Sequence, residues 1–217
     1  MEKKKILILD DHRVVIEGIK TALNEWSDFH VVGGATDGLA AVEMVRRLRP
    51  NIVITDVSMP DMNGMELTVE VKKIDSGISV IVFSMYSDKE YIVDFLKAGV
   101  SSYVLKEDPL GELMFAVGAV ARGGFYLGEK VHGVLMDYLS GNSGPGVEGG
   151  GVASLSLRER EIFILLAEGL SVKRVSEKLG ISPKTVESHK YNIMEKLDLG
   201  SVVELTKLAI RKNLIRA

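Results

Sequence analysis

Five polar side chains stand where short apolar runs end. Asp10 and Asp11 follow Ile6-Leu-Ile-Leu9, Asp56 follows Ile52-Val-Ile-Thr55, Ser84 closes Val80-Ile-Val-Phe-Ser84, and Lys106 follows Tyr103-Val-Leu105. If those runs are neighbouring strands, three carboxylates, a hydroxyl and an ammonium converge on one edge. Carboxylates held together repel one another unless a cation sits among them, and hard oxygen ligands with room for water and phosphate oxygens suit Mg²⁺. A lysine opposite would balance the charge of an added phosphoryl group, and a hydroxyl could hydrogen-bond to it. Taken singly, each residue has a plainer reading. A strand-end aspartate can simply cap the next helix, a serine can turn the chain, and a lysine can lie in solvent. Order and spacing favour the joint reading.

A second set lies near the other end of the chain, in residues 183–197. At helical spacing Val186, His189, Ile193 and Leu197 share a core-facing stripe, which makes His189 a core histidine. Lys184, Glu187, Ser188, Tyr191 and Glu195 fall on the opposite face. Lys184 could bind phosphate or guanine, Ser188 and Tyr191 could reach bases or phosphates, and Glu187 could accept from cytosine N4. Thr185, Lys190, Lys173 and Arg174 could add phosphate contacts. The alternative is an ordinary solvated helix face, on which a glutamate would repel DNA.

The elements needed to position these residues are legible as two patterns. Before residue 140, runs rich in Ile and Val at Lys4–Leu9, Phe29–Gly34, Asn51–Thr55, Val80–Ser84 and Ser101–Leu105 alternate with helix-length segments. Those segments are Val14–Trp26, Leu39–Leu48, Gly64–Lys73, Lys89–Ala98 and Leu110–Ala121. Such alternation predicts an α/β domain with a doubly wound, five-stranded parallel sheet. In that fold function gathers outside the carboxyl ends of the strands, where the five polar residues stand. A further amphipathic stretch, Glu129–Leu139, predicts a connecting helix.

Residues 140–153 hold six glycines and one proline without apolar periodicity, which predicts a flexible linker between a domain at 1–139 and another at 154–217. The second domain has no strand pattern. Helices are expected over 156–168, 172–179, 183–197 and 201–212, capped at their ends by Gly169, Gly180 and Gly200. Ser156 with Glu159 predicts a capping box, and Ser182-Pro183 an N-cap followed by proline in the first turn. Short helix, tight turn and longer helix is the helix-turn-helix layout, whose second helix enters the major groove.

Composition narrows the functions. The 217 residues include no cysteine, which excludes disulfides, thiolate zinc sites and cysteine nucleophiles. The apolar run before Asp10 is too short for a signal-peptide core or a membrane span, so a cytoplasmic protein that does not enter the membrane is expected. Net charge is −3, but unevenly placed. Residues 1–139 carry 15 Lys+Arg and 21 Asp+Glu, whereas residues 154–217 carry 12 and 8. Only the second half has the sign to meet a polyanion.

The first half resembles the receiver domain of bacterial two-component response regulators over about residues 4–122. The resemblance rests on Ile-Leu-Ile-Leu-Asp10-Asp11-His12, Ile-Val-Ile-Thr-Asp56-Val-Ser58-Met-Pro60-Asp-Met-Asn-Gly64, Val-Phe-Ser84 and Ser-Tyr103-Val-Leu-Lys106. It implies a CheY-like receiver in which Asp56 accepts the phosphoryl group. Mg²⁺ would be held by Asp10, Asp11, Asp56 and the backbone carbonyl of Ser58. Ser84 and Lys106 would contact the phosphoryl group, and Tyr103 would turn inward as Ser84 closes on it. Two departures stand out. Glu107-Asp108-Pro109 follows Lys106 where many receivers have proline at once, and Met85 is bulkier than the residue common there.

The second half resembles the LuxR-type helix-turn-helix, and the whole chain resembles the NarL/FixJ family of response regulators. The residues that carry this are Leu155-Ser-Leu-Arg158-Glu159-Arg-Glu161, Glu168-Gly169, Val175-Ser-Glu-Lys-Leu179-Gly-Ile-Ser182, Thr185-Val186-Glu-Ser-His189 and Lys196-Leu197. Leu157 stands where proline is common. The resemblance implies a transcription regulator with a sensor histidine kinase and duplex DNA as partners, a homodimer when active, and RNA polymerase as a further contact. Coupling would arise either by the receiver covering the recognition helix or by dimerisation through the fourth and fifth helices. An enzymatic reading, a hydrolase with Asp56 as nucleophile, expects a second acid two residues on, where this chain has Ser58. The chain is therefore read as a phospho-acceptor regulator, limited to autophosphorylation and autodephosphorylation. An adaptor whose basic half binds RNA is the remaining alternative.

Overall fold

The computed structural model describes residues 3–59, 61–87, 89–139, 151–212 and 214–215. It divides into two units, Met1–Asn142 and Ser143–Ala217.

In the first unit the strands are β1 (Lys4–Leu9), β2 (Phe29–Ala35), β3 (Ile52–Thr55), β4 (Ser79–Ser84), β5 (Ser102–Leu105) and β6 (Tyr126–Leu127). The helices are α1 (Arg13–Asn24), α2 (Gly38–Leu48), α3 (Gly64–Ile74), α4 (Lys89–Lys97), α5 (Leu110–Ala121) and α6 (Glu129–Leu139). All strand pairs are parallel, in the order β2-β1-β3-β4-β5-β6. Successive side chains of a strand point to opposite faces, and here both faces are covered. Ile6, Ile8, Ile52, Ile54, Ile81, Phe83 and Val104 pack with Ile16, Ile19 and Leu23 of α1 and Leu113, Ala116, Val117 and Val120 of α5. The alternate residues Leu7, Leu9, Val53, Val80, Val82, Tyr103 and Leu105 are buried too. Burial on both sides explains why the strands read as continuous apolar runs.

The sheet has six strands where five were expected. The addition, β6, is two residues long, too short to show a period. It forms because the outer edge of β5 would otherwise leave its peptide groups unpaired: Tyr126 N–H donates to Ser101 O at 3.2 Å and Gly128 N–H to Tyr103 O at 3.1 Å. At the other end of the sheet, the register between β1 and β2 shifts between Ile6 and Leu7, so that Ile6 pairs with Val31 and Leu7 with Gly33.

Of the expected linker, residues 140–150 lie outside the described residues. Its end is corrected: Gly151–Ser154 forms a 3-10 turn that packs on the third helix of the second unit, with Val152 buried. Burial of Val152 and Leu155 outweighs the local glycine content.

The second unit holds α7 (Leu157–Ala167), α8 (Val172–Leu179), α9 (Pro183–Leu197) and α10 (Val202–Arg211). Every residue from Ile162 to Ala167 is buried. A helix apolar on all sides belongs in the centre, and α8, α9 and α10 all pack against α7. Each of the four helices starts at a serine: Ser156, Ser171, Ser182 and Ser201 accept from the amides of Glu159, Arg174, Thr185 and Glu204. The expected cap Gly200 is corrected, because α9 ends at Asp198, whose φ of 51° is left-handed. Aspartate is among the few residues with a side chain that tolerate this region.

Candidate phosphoryl site and nucleic-acid face

The carboxyl ends of β1, β3, β4 and β5 line up because the parallel ladder continues one residue past the strands. Asp56 N–H donates to Leu9 O at 2.9 Å, and Lys106 N–H donates to Ser84 O at 2.8 Å. The side chains meet as a result. The Lys106 ammonium lies 2.6 Å from Asp10 Oδ2 and 2.7 Å from Asp56 Oδ2. Asp56 Oδ1 accepts from Val57 N–H at 2.6 Å. Asp10, Asp56 and Ser84 are all buried.

The electrostatics follow from crowding. Burial lifts the Asp56 carboxyl above its usual range and the charge of Asp10 adds to the rise, while Lys106 and the Val57 amide pull the other way. Burial works against the Lys106 ammonium, but Asp56 and Asp10 outweigh it and hold its pKa above the ordinary value. One ammonium cannot balance three carboxylates, and the excess negative charge suits a divalent cation.

Among the described residues, the ligand atoms of Asp10, Asp11 and His12 lie within 4.8 Å of one another. His12 Nδ1 is 2.6 Å from Asp11 Oδ1, and its amide donates to Asp10 Oδ1 at 2.9 Å. Asp56 is not in that group; it is joined to Asp10 through Lys106. The expected oxygen ligands therefore stand as two carboxylates with an imidazole, and a third carboxylate across the ammonium. Ser58, the expected carbonyl donor, is half-buried.

The loop after β3 depends on a close approach that motif spacing alone does not explain. Gly64 N–H donates to Val57 O at 2.8 Å, and a Cβ on Gly64 would stand 2.2 Å from Asp56 O. Asn63 and Glu66 form a reciprocal capping box at the start of α3. Opposite, Tyr103 is fully buried and its hydroxyl donates to Tyr86 O at 2.7 Å. Its ring packs edge-on against Phe95 at 5.8 Å, and Tyr86 stacks on Tyr91 at 5.1 Å. Tyr86 N–H donates to Ser84 Oγ at 3.3 Å. The backbone of one residue, Tyr86, thus joins the strand-end hydroxyl to the buried tyrosine through its N–H and its carbonyl. Met85 between them points outward, 66% exposed.

In the second unit, a hydrogen bond from Arg158 and an ion pair from Glu159, both at the start of α7, hold the helix-turn-helix. Arg158 Nη1 is 2.7 Å from Glu161 and its Nη2 donates to Leu179 O at 2.9 Å, fastening the end of α8. Lys196 of α9 is 2.6 Å from Glu159 Oε2, which also accepts from Ser156 N–H at 2.8 Å. Burial opposes ionisation of Glu159, but Lys196 and Ser156 together hold its pKa below the usual range.

On α9, Val186 and Ile193 are buried as the stripe predicts, while His189 and Leu197 are half-buried. Lys184, Thr185, Glu187, Ser188 and Tyr191 are exposed. Two of their hydroxyls are occupied locally: Thr185 pairs with Ser182 at 2.8 Å, and Ser188 donates to Lys184 O at 3.1 Å. Lys190 is half-buried, and its ammonium lies 3.3 Å from Glu187 Oε2. A candidate phosphate contact and a candidate base acceptor are thus partners of one another.

Comparison with known proteins covers both units. Residues 6–117 match the response regulator receiver domain, and residues 153–209 match bacterial regulatory proteins of the luxR family. The oxygen regulatory protein NreC of Staphylococcus carnosus is 37% identical over 214 residues, spanning 97% of this chain and 99% of that one. NreC of Staphylococcus aureus (strain MRSA252) is 36% identical over the same shares. Among solved structures, the RcsB response regulator of Salmonella typhimurium is similar with 28% identity and a TM-score of 0.62, over 99% of this chain and 100% of that one. RcsB from Salmonella enterica serovar Typhimurium, bound to promoter rprA in the presence of phosphomimetic BeF3⁻, reaches 0.66 at 28% identity, over 95% of this chain and 98% of that one.

Proposed function

Because the chain belongs to the response-regulator family, with a receiver domain and a LuxR-type helix-turn-helix, we propose that phosphorylation of Asp56 controls sequence-specific binding of duplex DNA by α9. The observation that carries this reading is the Lys106 ammonium held between Asp10 and Asp56 at 2.6 and 2.7 Å, on the edge that Ser84 also reaches.

In the proposed reaction an Asp56 carboxylate oxygen attacks the phosphorus of a donor, a phosphohistidine of a sensor kinase or a small acyl phosphate. An aspartyl P–O bond forms as the bond from phosphorus to the leaving group breaks. The carboxylate is the reacting form, so the raised pKa makes Asp56 a better nucleophile once ionised. Lys106 exchanges a carboxylate partner for a phosphoryl oxygen, and Ser84 donates its hydroxyl to another. Asp10, Asp11, Asp56 and the Ser58 carbonyl would hold Mg²⁺, which would neutralise charge at the phosphoryl oxygens.

The added group brings about −1.5 to −2 charges. Moving a two-state equilibrium from 1:99 to 99:1 takes about 5.5 kcal/mol. Hydrogen bonds to charged groups contribute about 1.5–3 kcal/mol each, so a few suffice. Tyr103 and Ser84, both hydrogen-bonded to the backbone of Tyr86, form the switch that responds.

On the DNA side, Lys184, Thr185, Lys190 and Tyr191 serve phosphates and nearby base edges, and Glu187 with Ser188 serves base reading. RcsB bound to promoter rprA in the presence of a phosphomimetic supports this reading for a relative. The active species is a homodimer, RNA polymerase is a downstream contact, and the site of action is the cytoplasm. Among the described residues no helix is long and apolar enough to cross a membrane. The domain boundaries proposed are a receiver over 1–139 and a DNA-binding unit over 154–217, against which the turn Gly151–Ser154 packs.

The test is selection from a random duplex pool, with and without acetyl phosphate and Mg²⁺, using wild type beside Asp56→Asn. One motif enriched only by phosphorylated wild type is the expected result. Equal enrichment under all conditions would remove phospho-control, and no enrichment would remove DNA as the ligand.

A further inference from the structure

The segment that follows α5 is fastened to the phosphate-facing strand at several independent points. Tyr126 and Leu127 pair with Ser102 and Tyr103, and the Gly128 amide donates to the Tyr103 carbonyl at 3.1 Å. The Tyr126 hydroxyl donates to Glu112 of α5. Lys130, in the first turn of α6, lies 2.8 Å from Glu107 and 3.5 Å from Asp108, the two residues directly after Lys106. The turn at Gly128 packs closely on this pair, since a Cβ there would stand 3.1 Å from Asp108 Oδ2. Val131 is fully buried, and α6 packs on α4 and β5.

These ties reach the two positions, Tyr103 and Lys106, assigned to phosphate sensing. One reaches the backbone of Tyr103, and the other reaches the residues next to Lys106. Resting on the function proposed above, we propose that β6 and α6 form an intramolecular arm docked on β5 and α4, with Lys130 as the positioning residue that couples its docking to the phosphoryl site. When Lys106 exchanges a carboxylate partner for a phosphoryl oxygen, the adjoining peptide carries the shift to Glu107 and Asp108, and so to Lys130. The Lys130–Glu107 pair is largely exposed and therefore weak enough to be remade. The arm is also the stretch of chain that leads toward the DNA-binding unit, so its docking state is the message passed on. Dimerisation through α4 would first have to displace it.

Coupling of this kind is reciprocal: whatever the phosphoryl group does to the arm, the arm does to phosphoryl affinity by the same factor. The chain has no cysteine, so Ser102→Cys with Tyr126→Cys, register partners on adjacent strands, can be oxidised to a lock and released by reductant. DNA affinity of the full chain is measured with and without beryllofluoride and Mg²⁺. The oxidised lock is expected to make DNA affinity indifferent to beryllofluoride, and reduction to restore the response. Separately, Lys130→Glu is expected to shift the beryllofluoride Kd about fivefold or more. Lys73→Glu, which reverses an exposed charge on α3, should leave that Kd unchanged. A lock that responds like wild type, or a Lys130→Glu chain with wild-type Kd, overturns the arm. Wild type whose DNA affinity ignores beryllofluoride instead defeats the function proposed above, and the Kd comparison then still judges the arm.

Discussion

At Asp56 reactivity and stability pull in opposite directions. Its pKa is raised, chiefly by burial, so the folded protein holds that proton to higher pH than the unfolded chain does. The stabilising contribution of the protonated form is complete below the unfolded value, about 3.9, and is lost as pH rises through the folded value. At neutral pH the ionised group is a liability. Asp56→Asn is therefore expected to raise the melting temperature of the receiver at pH 7, by an amount that shrinks as pH falls toward 4. Calorimetry of the two proteins across that range checks it, and a constant difference would contradict the assignment. On α9, Glu187 and Lys190 neutralise each other across one turn. Glu187→Gln should free the ammonium and steepen the dependence of log K on log salt by about 0.9, tightening non-specific binding while eroding discrimination between sequences. Titrations of specific and random duplex at several salt concentrations read both effects. The meeting of Asp10, Asp56 and Lys106 at one sheet edge was legible because each sits next to an apolar run. The Lys190–Glu187 pairing and the His12–Asp11 contact were not, since neither is implied by residue type.

Among the elements, legibility followed burial. Strands covered on both faces announce themselves as Ile and Val runs, so β1 falls at Lys4–Leu9 as read and the other four expected strands shift by one residue at an end. The two-residue β6 and the turn at Gly151–Ser154 were invisible, because partners remote in sequence create them: the open edge of β5 for one, and the core beside α9 for the other. Gly64 belongs to the same class. Its motif position was visible, but its reason is the Asp56 carbonyl 2.2 Å from where a Cβ would lie. Gly64→Ala must push the backbone of Asp56 itself, so a loss of about 1–3 kcal/mol is expected, together with slower phosphoryl incorporation if Asp56 is the acceptor proposed above. Denaturant melts and acetyl phosphate labelling test the two parts separately. Glu159 offers the opposite pH behaviour to Asp56. Its lowered pKa means that its contribution is present above the unfolded value and is lost as pH falls through the folded one. Glu159→Gln weakens the capping box and the tie to Lys196, and is expected to cost the helical unit about 1–2 kcal/mol at pH 7. The gap to wild type should close in acid, as circular dichroism melts at pH 3 and pH 7 would record.

Across the whole molecule, an acidic unit and a basic one are joined in a single chain. Each has its own buried core, so a fragment of residues 151–217 is expected to fold alone. Freed from the negative receiver, it should bind random duplex more tightly than the full unphosphorylated chain at low salt. The advantage should fade as ionic strength shortens the Debye length to about 8 Å; filter binding across a salt series follows it, and a salt-independent difference would point to direct masking instead. The ends of the sheet carry a last consequence, for solubility. A row of unpaired peptide groups invites strands from other molecules. Here one border is a strand whose register is broken between Ile6 and Leu7, and the other is only two residues long. Neither offers a straight template of useful length, so crowded copies of this regulator are protected against growing into fibrils edge by edge.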